Sequence, residues 1–225
     1  MGYKQQIENG LLQARMPQHK KKVAAALIDI AEFLRVCNRV YVSVSWGKDS
    51  IVLAHLVLQV SPQIDLVHWG SDQEQYISNF EEVKNTFLAT HGGCYRDVRS
   101  ASLMTGKLRN AGKEWSLEQG YDGYFVGLTA EESRGRRYAL NKAGKHNIFT
   151  YTDGFKRSCP LAAWSMEDVT AYVAKNSLQM LDIYERYGMD SRTSSRIKQH
   201  GYTRKGFEYL SSSNQQKIKE SWEKG

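Results

Sequence analysis

The chain lacks several features that would place it in common classes of protein. Its 225 residues include only three cysteines, Cys37, Cys94 and Cys159, which form no CxxC pair and no even set for disulfides. These positions offer no zinc or iron–sulfur spacing, so we expect a reducing, cytoplasmic location. No apolar run approaches the roughly 18 residues of a membrane span. The first residues also lack the apolar core of a signal peptide.

The composition is that of a folded domain with a moderate positive charge. Hydrophobic residues make up 41% of the chain and include five tryptophans, which is enough for a core and argues against global disorder. The length fits one α/β domain with an appendage, or two small domains. The net charge of +7 favours polyanionic partners such as nucleotides or nucleic acid, although proteins that bind neither also carry such charges.

Residues 40–60 show the clearest local pattern. Residues 40–44 alternate β-branched residues with small or aromatic ones and predict a buried strand. A turn of small and polar residues follows at 45–50, and the apolar run 51–60 predicts a helix packed on the sheet. A strand, a small-residue turn and a helix direct backbone N–H groups and a helix N-terminus at an anion.

The side chains of this turn suit a nucleotide phosphate. Lys48 supplies a positive charge, and the hydroxyls of Ser45 and Ser50 can donate hydrogen bonds to phosphate oxygens. Asp49 is an unfavourable neighbour for a polyanion unless a divalent cation lies between them, so the sequence predicts Mg²⁺ held by Asp49. The alternative is an ordinary strand-to-helix turn with solvated Lys48 and Asp49.

The turn resembles a known phosphate loop. It lacks the GxxxxGKS/T spacing of a Walker A motif. The run from Ser45 to Ser50, SWGKDS, is instead similar to the SxGxDS pyrophosphate loop of the adenine nucleotide alpha-hydrolase (PP-loop ATP pyrophosphatase) superfamily. Family members usually carry two glycines here, and Trp46 replaces the first. The resemblance implies that Ser45, Trp46, Gly47, Lys48 and Ser50 contact ATP or a related adenylyl nucleotide.

A second motif follows the predicted apolar strand 124–128. Reductases and sulfurylases of the superfamily carry the pattern G-I/L-R-x-x-E-S-x-x-R there. Matching positions in this chain are Gly127, Leu128, Glu132, Ser133 and Arg136. With the loop and a later helix element, this motif resembles the phosphoadenylyl-sulfate (PAPS) reductase family over roughly residues 38–185.

Thr129 stands where that family usually has arginine, so one expected phosphate or sulfate contact is missing. Arg134, Arg136 and Arg137 could supply it, because guanidinium groups suit bidentate phosphate recognition. A solvated basic loop is the alternative for these arginines.

The remaining segments complete the expected fold. Strands are predicted at 64–69 and 94–98, with an edge strand at 146–151. The pattern favours a doubly wound α/β fold with a mostly parallel, five-stranded, Rossmann-like sheet. The expected division is an N-terminal helical segment 1–38, a nucleotide-binding core 39–155 and a helical, basic extension 156–225. Ser165 and Asp168 form a capping-box pattern before a helix that ends near residue 175.

Three further segments have two interpretations each. Asp72 or Glu74, after the second strand, is either a ribose or metal contact or a helix cap. The run 19–22, HKKK, is a nucleic-acid contact or a solvated helix entrance. The basic residues interleaved with Ser, Thr and Tyr from 191 onward suit nucleic acid, a phosphorylated substrate or a flexible lid.

The functional hypothesis is an enzyme that cleaves ATP, or a related adenylyl nucleotide, at the α-phosphate and adenylates an acceptor with release of pyrophosphate. Lys48, Asp49, Arg134 and Arg136 are the expected catalytic residues, while Gly127, Arg137 and Asp72 complete the nucleotide contacts. Two alternatives stay open. One is thiol-dependent PAPS reduction, for which Cys159 is the only candidate thiol near the site. The other is a non-catalytic nucleotide- or nucleic-acid-binding module. The sequence identifies neither the acceptor nor the oligomeric state, so a homo-oligomer stays an open alternative.

Overall fold

The computed structural model describes residues 2–70, 79–99 and 108–190. Eight α-helices lie in these ranges: α1 Tyr3–Gln13, α2 Pro17–Val36, α3 Lys48–Val60, α4 Phe80–His91, α5 Leu108–Glu118, α6 Arg134–Leu140, α7 Met166–Lys175 and α8 Asp182–Tyr187. The six strands are β1 Val40–Val44, β2 Asp65–Trp69, β3 Cys94–Val98, β4 Gly123–Val126, β5 Ile148–Thr150 and β6 Lys156–Ser158. Among these described residues no helix is both long and apolar enough to cross a membrane.

One sheet joins all six strands in the order β3-β2-β1-β4-β6-β5. The pairs from β3 to β6 are parallel, and the edge strand β5 pairs antiparallel with β6. This confirms the predicted α/β fold and its mostly parallel sheet. The sheet has six strands rather than five, because Lys156–Ser158 adds a strand between β4 and β5. The sheet therefore continues beyond residue 155, and the three-part division of the chain stays a prediction.

Helices cover both faces of the sheet, as a doubly wound fold requires. On one face, the inward side chains of β1 and β4 pack with α2, α3 and α7 in the main core. On the other face, α5 brings Trp115 against Tyr41 and Tyr121, and α6 packs Leu140 near Val126 and Cys159. Because all parallel strands run the same way, β1 and β4 both end at one edge, where their loops enter α3 and α6.

The N-terminal helices are packed more closely than the polar sequence of residues 1–22 predicts. Helix α1 crosses α7 at Gly10, where an added β-carbon would lie 3.0 Å from the carbonyl oxygen of Thr170. His19 is only 1% exposed, and its ring contacts Trp164 edge-on. Both interpretations of the 19–22 run are therefore wrong for His19, because its side chain lies in the core rather than in solvent.

A buried carboxylate ties α2 to α7. Asp168 accepts hydrogen bonds from the backbone N–H and hydroxyl of Ser165, which confirms the predicted capping box. Its other contacts are an ion pair with Lys22 and the ring nitrogen Nδ1 of His19 at 3.5 Å. Burial raises the pKa of Asp168, but the bonds from Lys22 and Ser165 outweigh it and hold that pKa below its usual range.

Candidate nucleotide-binding site

The predicted phosphate loop lies where β1 ends and α3 begins. Gly47 is the N-cap residue of α3, with extended backbone angles, and Lys48 is the first helical residue. The first intrahelical bond runs from the N–H of Ile51 to the carbonyl of Gly47. The N–H groups of Lys48, Asp49 and Ser50 therefore have no carbonyl partner inside the helix, and the positive end of the helix dipole lies in this turn.

Trp46 takes the left-handed backbone conformation that its position demands, with φ of 57°. Left-handed geometry costs an L-residue with a bulky side chain about 1–2 kcal/mol, which explains why glycine suits this place. The indole is fully buried and packs against Phe87 of α4 and Tyr95 of β3. The indole points away from the turn and into the core, so only the backbone of Trp46 is available to a ligand.

The two serines close the turn on itself. The hydroxyl of Ser50 donates to the carbonyl of Gly47 at 2.9 Å and accepts the backbone N–H of Ser45 at 3.2 Å. The hydroxyl of Ser45 lies 3.4 Å from that of Ser50, and Ser45 is exposed. These bonds hold residues 45–50 in a compact turn.

Lys48 and Asp49 form the charged pair of the loop. The Nζ of Lys48 lies 2.8 Å from Oδ2 of Asp49, and the two side chains are only 10% and 15% exposed. Among the described residues, no three histidine, cysteine or acidic side chains converge on a metal-binding point. Magnesium in nucleotide sites takes one or two carboxylates together with phosphates and water. Asp49 could supply one such carboxylate, which pairs with Lys48 in this structure.

Gly127 joins the second motif to the first. An added β-carbon there would lie 2.8 Å from the carbonyl oxygen of Asp49 and 3.1 Å from the amide nitrogen of Ser50. Such backbone contact is open only to glycine. Thr129, which replaces the arginine of the family pattern, is buried. The structure thus brings Ser45, Trp46, Gly47, Lys48, Asp49, Ser50 and Gly127 together at one sheet edge.

The arginines of the second motif begin helix α6. Ser133 caps this helix by accepting the N–H of Arg136 at 3.1 Å. Arg134 and Arg137 are exposed, while Arg136 is half-buried. Their phosphate contacts stay a prediction. Asp72, Glu74 and the basic residues from 191 onward lie outside the described residues.

Two contacts of the loop region were not foreseen from the sequence. The hydroxyl of Tyr184, on α8, accepts the backbone N–H of Lys48 at 3.0 Å. His68 is buried near the end of β2, where its Nδ1 lies 2.8 Å from the carbonyl oxygen of Val44. Tyr184 lies 136 positions from Lys48 in the chain, so no local signal in the sequence identifies the contact.

None of the three cysteines offers a reactive thiol at this edge. Cys159 is 1% exposed, and burial raises its pKa to about 11 despite the nearby Arg157. Cys37 is half-buried, and burial likewise raises its pKa to about 11. Cys94 is exposed, but it is the first residue of β3 and pairs with the first residue of β2, at the opposite edge of the sheet.

A parallel α/β sheet with a small-residue turn and a helix N-terminus at its carboxyl edge defines the class of nucleotide-binding α/β proteins. A family model described as the phosphoadenosine phosphosulfate reductase domain matches residues 39–206. The chain belongs to this family. No curated protein matches the sequence.

Solved structures share the fold at low sequence identity. The PAPS reductase from Candida auris, solved as a phosphate complex, aligns with a TM-score of 0.53 and 13% identity over 72% of this chain and 84% of that one. The U34-tRNA thiolase NcsA from Methanococcus maripaludis, solved with its 4Fe–4S cluster, aligns at 0.50 and 17% over 72% and 65%. The FMN adenylyltransferase from Candida glabrata in complex with ATP aligns at 0.57 and 12% over 82% and 68%.

Proposed function

We propose that the chain is an enzyme that cleaves ATP, or a related adenylyl nucleotide, between the α- and β-phosphates and transfers the adenylyl group to an acceptor. The observation that carries this proposal is the contact of Gly127 with the backbone of Asp49 and Ser50. It brings both family motifs to the free amides of one helix. The structural neighbours solved in complex with ATP and with phosphate support an adenylyl nucleotide as the ligand.

Several residues of the loop would contribute to binding the phosphates. The N–H groups of Asp49 and Ser50 and the hydroxyl of Ser45 would hold the β- and γ-phosphates, since helix N-terminal amides favour anions. Lys48 would neutralise the charge that develops on pyrophosphate as it leaves, and Arg134, Arg136 and Arg137 on α6 would add to this field. Catalysis would then consist of positioning and electrostatic stabilisation, with no covalent enzyme intermediate.

Asp49 would hold a magnesium ion through its single carboxylate. When bound, Mg²⁺ stabilises negative charge on the phosphates without a proton transfer. Lys48 would then turn from Asp49 towards the polyphosphate, because the two partners of the ion pair would each gain a stronger counter-charge.

Thiol-dependent reduction of an adenylated sulfate is the second candidate, because the family carries that description. Reduction by attack on sulfur needs a thiolate beside the nucleotide. The raised pKa and burial of Cys159 argue against that role. A binding module without turnover is the third candidate, and nucleotide binding without pyrophosphate release would favour it.

The test is pyrophosphate release from ATP in the presence of Mg²⁺, with candidate acceptors added in turn. We expect Lys48→Ala and Asp49→Asn to lower the rate at least tenfold. Lys156→Ala is the matched control, because Lys156 pairs with Gly123 and lies at the amino edge of the sheet, away from the loop. Full activity in the Lys48 and Asp49 variants would contradict the proposal.

A further inference from the structure

Tyr184 performs a capping role at the phosphate loop from a distant helix. Its side chain is 1% exposed, and its hydroxyl oxygen accepts the N–H of Lys48 at 3.0 Å. The N-cap residue of α3 is Gly47, which has no side chain to cap the helix. The hydroxyl of Tyr184 therefore satisfies the N–H of Lys48, one of the first helical amides that have no carbonyl partner inside the helix.

This contact determines which amides face a phosphate. Lys48 is only 8% exposed, and its N–H points to the buried hydroxyl. The N–H groups of Asp49 and Ser50 are then the helix-terminal donors left for a ligand. Without the hydroxyl, the N–H of Lys48 would be buried without an acceptor, which is costly, so the turn would rotate to find another partner.

Hydrogen bonds at the start of α8 and just beyond its end connect it to other parts of the fold. The N–H of Asp182, the first residue of α8, donates to Oδ1 of Asn79, which precedes α4, at 3.1 Å. Beyond the other end of α8, the N–H of Met189 donates to Oε1 of Gln6 on α1 at 2.7 Å. These hydrogen bonds and the burial of its ring restrict the position of the Tyr184 hydroxyl.

We propose that Tyr184 is a positioning residue for nucleotide binding. Its hydroxyl holds the N–H of Lys48 and so presents the amides of Asp49 and Ser50 to the polyphosphate, without contacting the nucleotide itself. The proposal rests on the proposed function, in which the loop binds an adenylyl nucleotide.

The test compares Tyr184→Phe with Tyr172→Phe in the full chain. Tyr172 is 2% exposed, and its hydroxyl lies 2.8 Å from Nδ1 of His55 and accepts from Nε2 of Gln59 at 2.8 Å. Each variant thus loses one buried, hydrogen-bonded hydroxyl and should show a similar fall in Tm. We expect only Tyr184→Phe to raise the Kd for Mg²⁺–ATP, by about tenfold.

Amide hydrogen exchange gives a readout that is independent of the nucleotide. In the ligand-free protein, the N–H of Lys48 should exchange faster in Tyr184→Phe than in the wild type, and it should be unchanged in Tyr172→Phe. Unchanged exchange at Lys48 would overturn the capping role.

The affinities separate this proposal from the proposed function. If Tyr184→Phe bound ATP as tightly as the wild type or more tightly, the role of Tyr184 would be overturned but the proposed function would not. Tighter binding would mean that the phosphate takes the N–H of Lys48. A wild-type protein that binds neither ATP nor another adenylyl nucleotide would contradict the proposed function, and with it any role of Tyr184 in nucleotide binding.

Discussion

Gly127 and Asp49 are in backbone contact across the carboxyl edge of the sheet. A β-carbon at residue 127 would lie 2.8 Å from the carbonyl oxygen and 2.9 Å from the carbonyl carbon of Asp49. Backbone atoms at the start of a helix cannot move aside as a flexible side chain can. The absence of a side chain at residue 127 therefore sets how closely β4 approaches the phosphate loop.

Replacement of Gly127 by alanine should separate the two motifs. We expect Gly127→Ala to lower the free energy of unfolding by about 1–3 kcal/mol, as overpacking does. It should also weaken nucleotide binding at least tenfold, because the amides of Asp49 and Ser50 would shift. Urea unfolding and a binding titration with ATP measure the two effects.

Gly135 provides the control for this substitution. It lies on α6, and an added β-carbon would meet nothing within 4 Å. Gly135→Ala should therefore be neutral or slightly stabilising, since alanine is the better helix former. If Gly127→Ala behaved like Gly135→Ala, the close contact at Asp49 would not control the loop.

Trp46 contributes to stability rather than to ligand contact. Trp46→Gly would relieve the left-handed backbone, by about 1–2 kcal/mol. It would also remove a fully buried indole, which costs about 3–5 kcal/mol in comparable truncations. We expect a net loss of about 1–4 kcal/mol in urea unfolding, by subtraction of these two ranges.

Trp46→Phe should retain more of the packing against Phe87 and so lose less stability. Its affinity for ATP should stay close to that of the wild type, because the indole points into the core. A large loss of affinity in a stably folded Trp46→Phe protein would show that the indole contributes to the site.

Acidification should destabilise the protein through His55. Burial, followed by the neighbouring His91, lowers the pKa of His55 to about 4. The unfolded state, with a pKa near 6.5, then binds more protons between about pH 6.5 and 4, so stability falls as pH falls through that window. His91 and His19, whose pKa values burial also lowers, add to the same trend.

His55→Asn isolates the contribution of this one histidine. Between pH 6.5 and 4, the unfolding free energy of His55→Asn should depend less steeply on pH than that of the wild type. The two slopes should differ by less than ~1.4 kcal/mol per pH unit, which is the slope that one full proton produces. Urea unfolding at a series of pH values measures the slope. An unchanged slope would mean that His55 is protonated as readily in the folded chain as in the unfolded one.

The cysteines should differ in reactivity in the folded protein. Cys94 is exposed, while Cys159 is buried with a pKa raised to about 11. Iodoacetamide at pH 8 should label Cys94 within minutes and leave Cys159 unlabelled until denaturant is added, as mass spectrometry would show. Rapid labelling of Cys159, or loss of activity in Cys159→Ala, would favour the reductase chemistry instead.

Five strands were predicted from the sequence, and β6 was missed. Residues 40–44, 64–69 and 124–128 are apolar because inner parallel strands are covered on both faces, and the structure has β1, β2 and β4 there. The missed strand β6 begins with two basic residues, Lys156 and Arg157. In the structure the guanidinium of Arg157 lies 5.1 Å from the ring centroid of Phe149 on β5, a contact between strands that no local pattern indicates.

In the site, local features could be predicted from the sequence, and contacts between distant residues could not. The turn at 45–50 is a contiguous motif, so the strand, turn and helix there could be predicted locally, while its phosphate contacts stay a prediction. The cap from Tyr184 and the backbone contact of Gly127 join residues far apart in the chain and arise only when the sheet assembles. His19 lies in a polar run of the sequence, so its burial was not predicted. In the structure its Nδ1 lies 3.5 Å from the carboxylate of Asp168 in the core.

Isothermal titration of the wild-type chain with ATP, with and without Mg²⁺, tests the central claim most directly. Adenylyl sulfate and its 3′-phosphorylated form serve as competing ligands, and Lys48→Ala and Lys156→Ala as the paired variants. We predict saturable binding of ATP that is strengthened by Mg²⁺, lost in Lys48→Ala and retained in Lys156→Ala. Equal binding by the two variants, or no binding of any adenylyl nucleotide by the wild type, would contradict a phosphate site at residues 45–50.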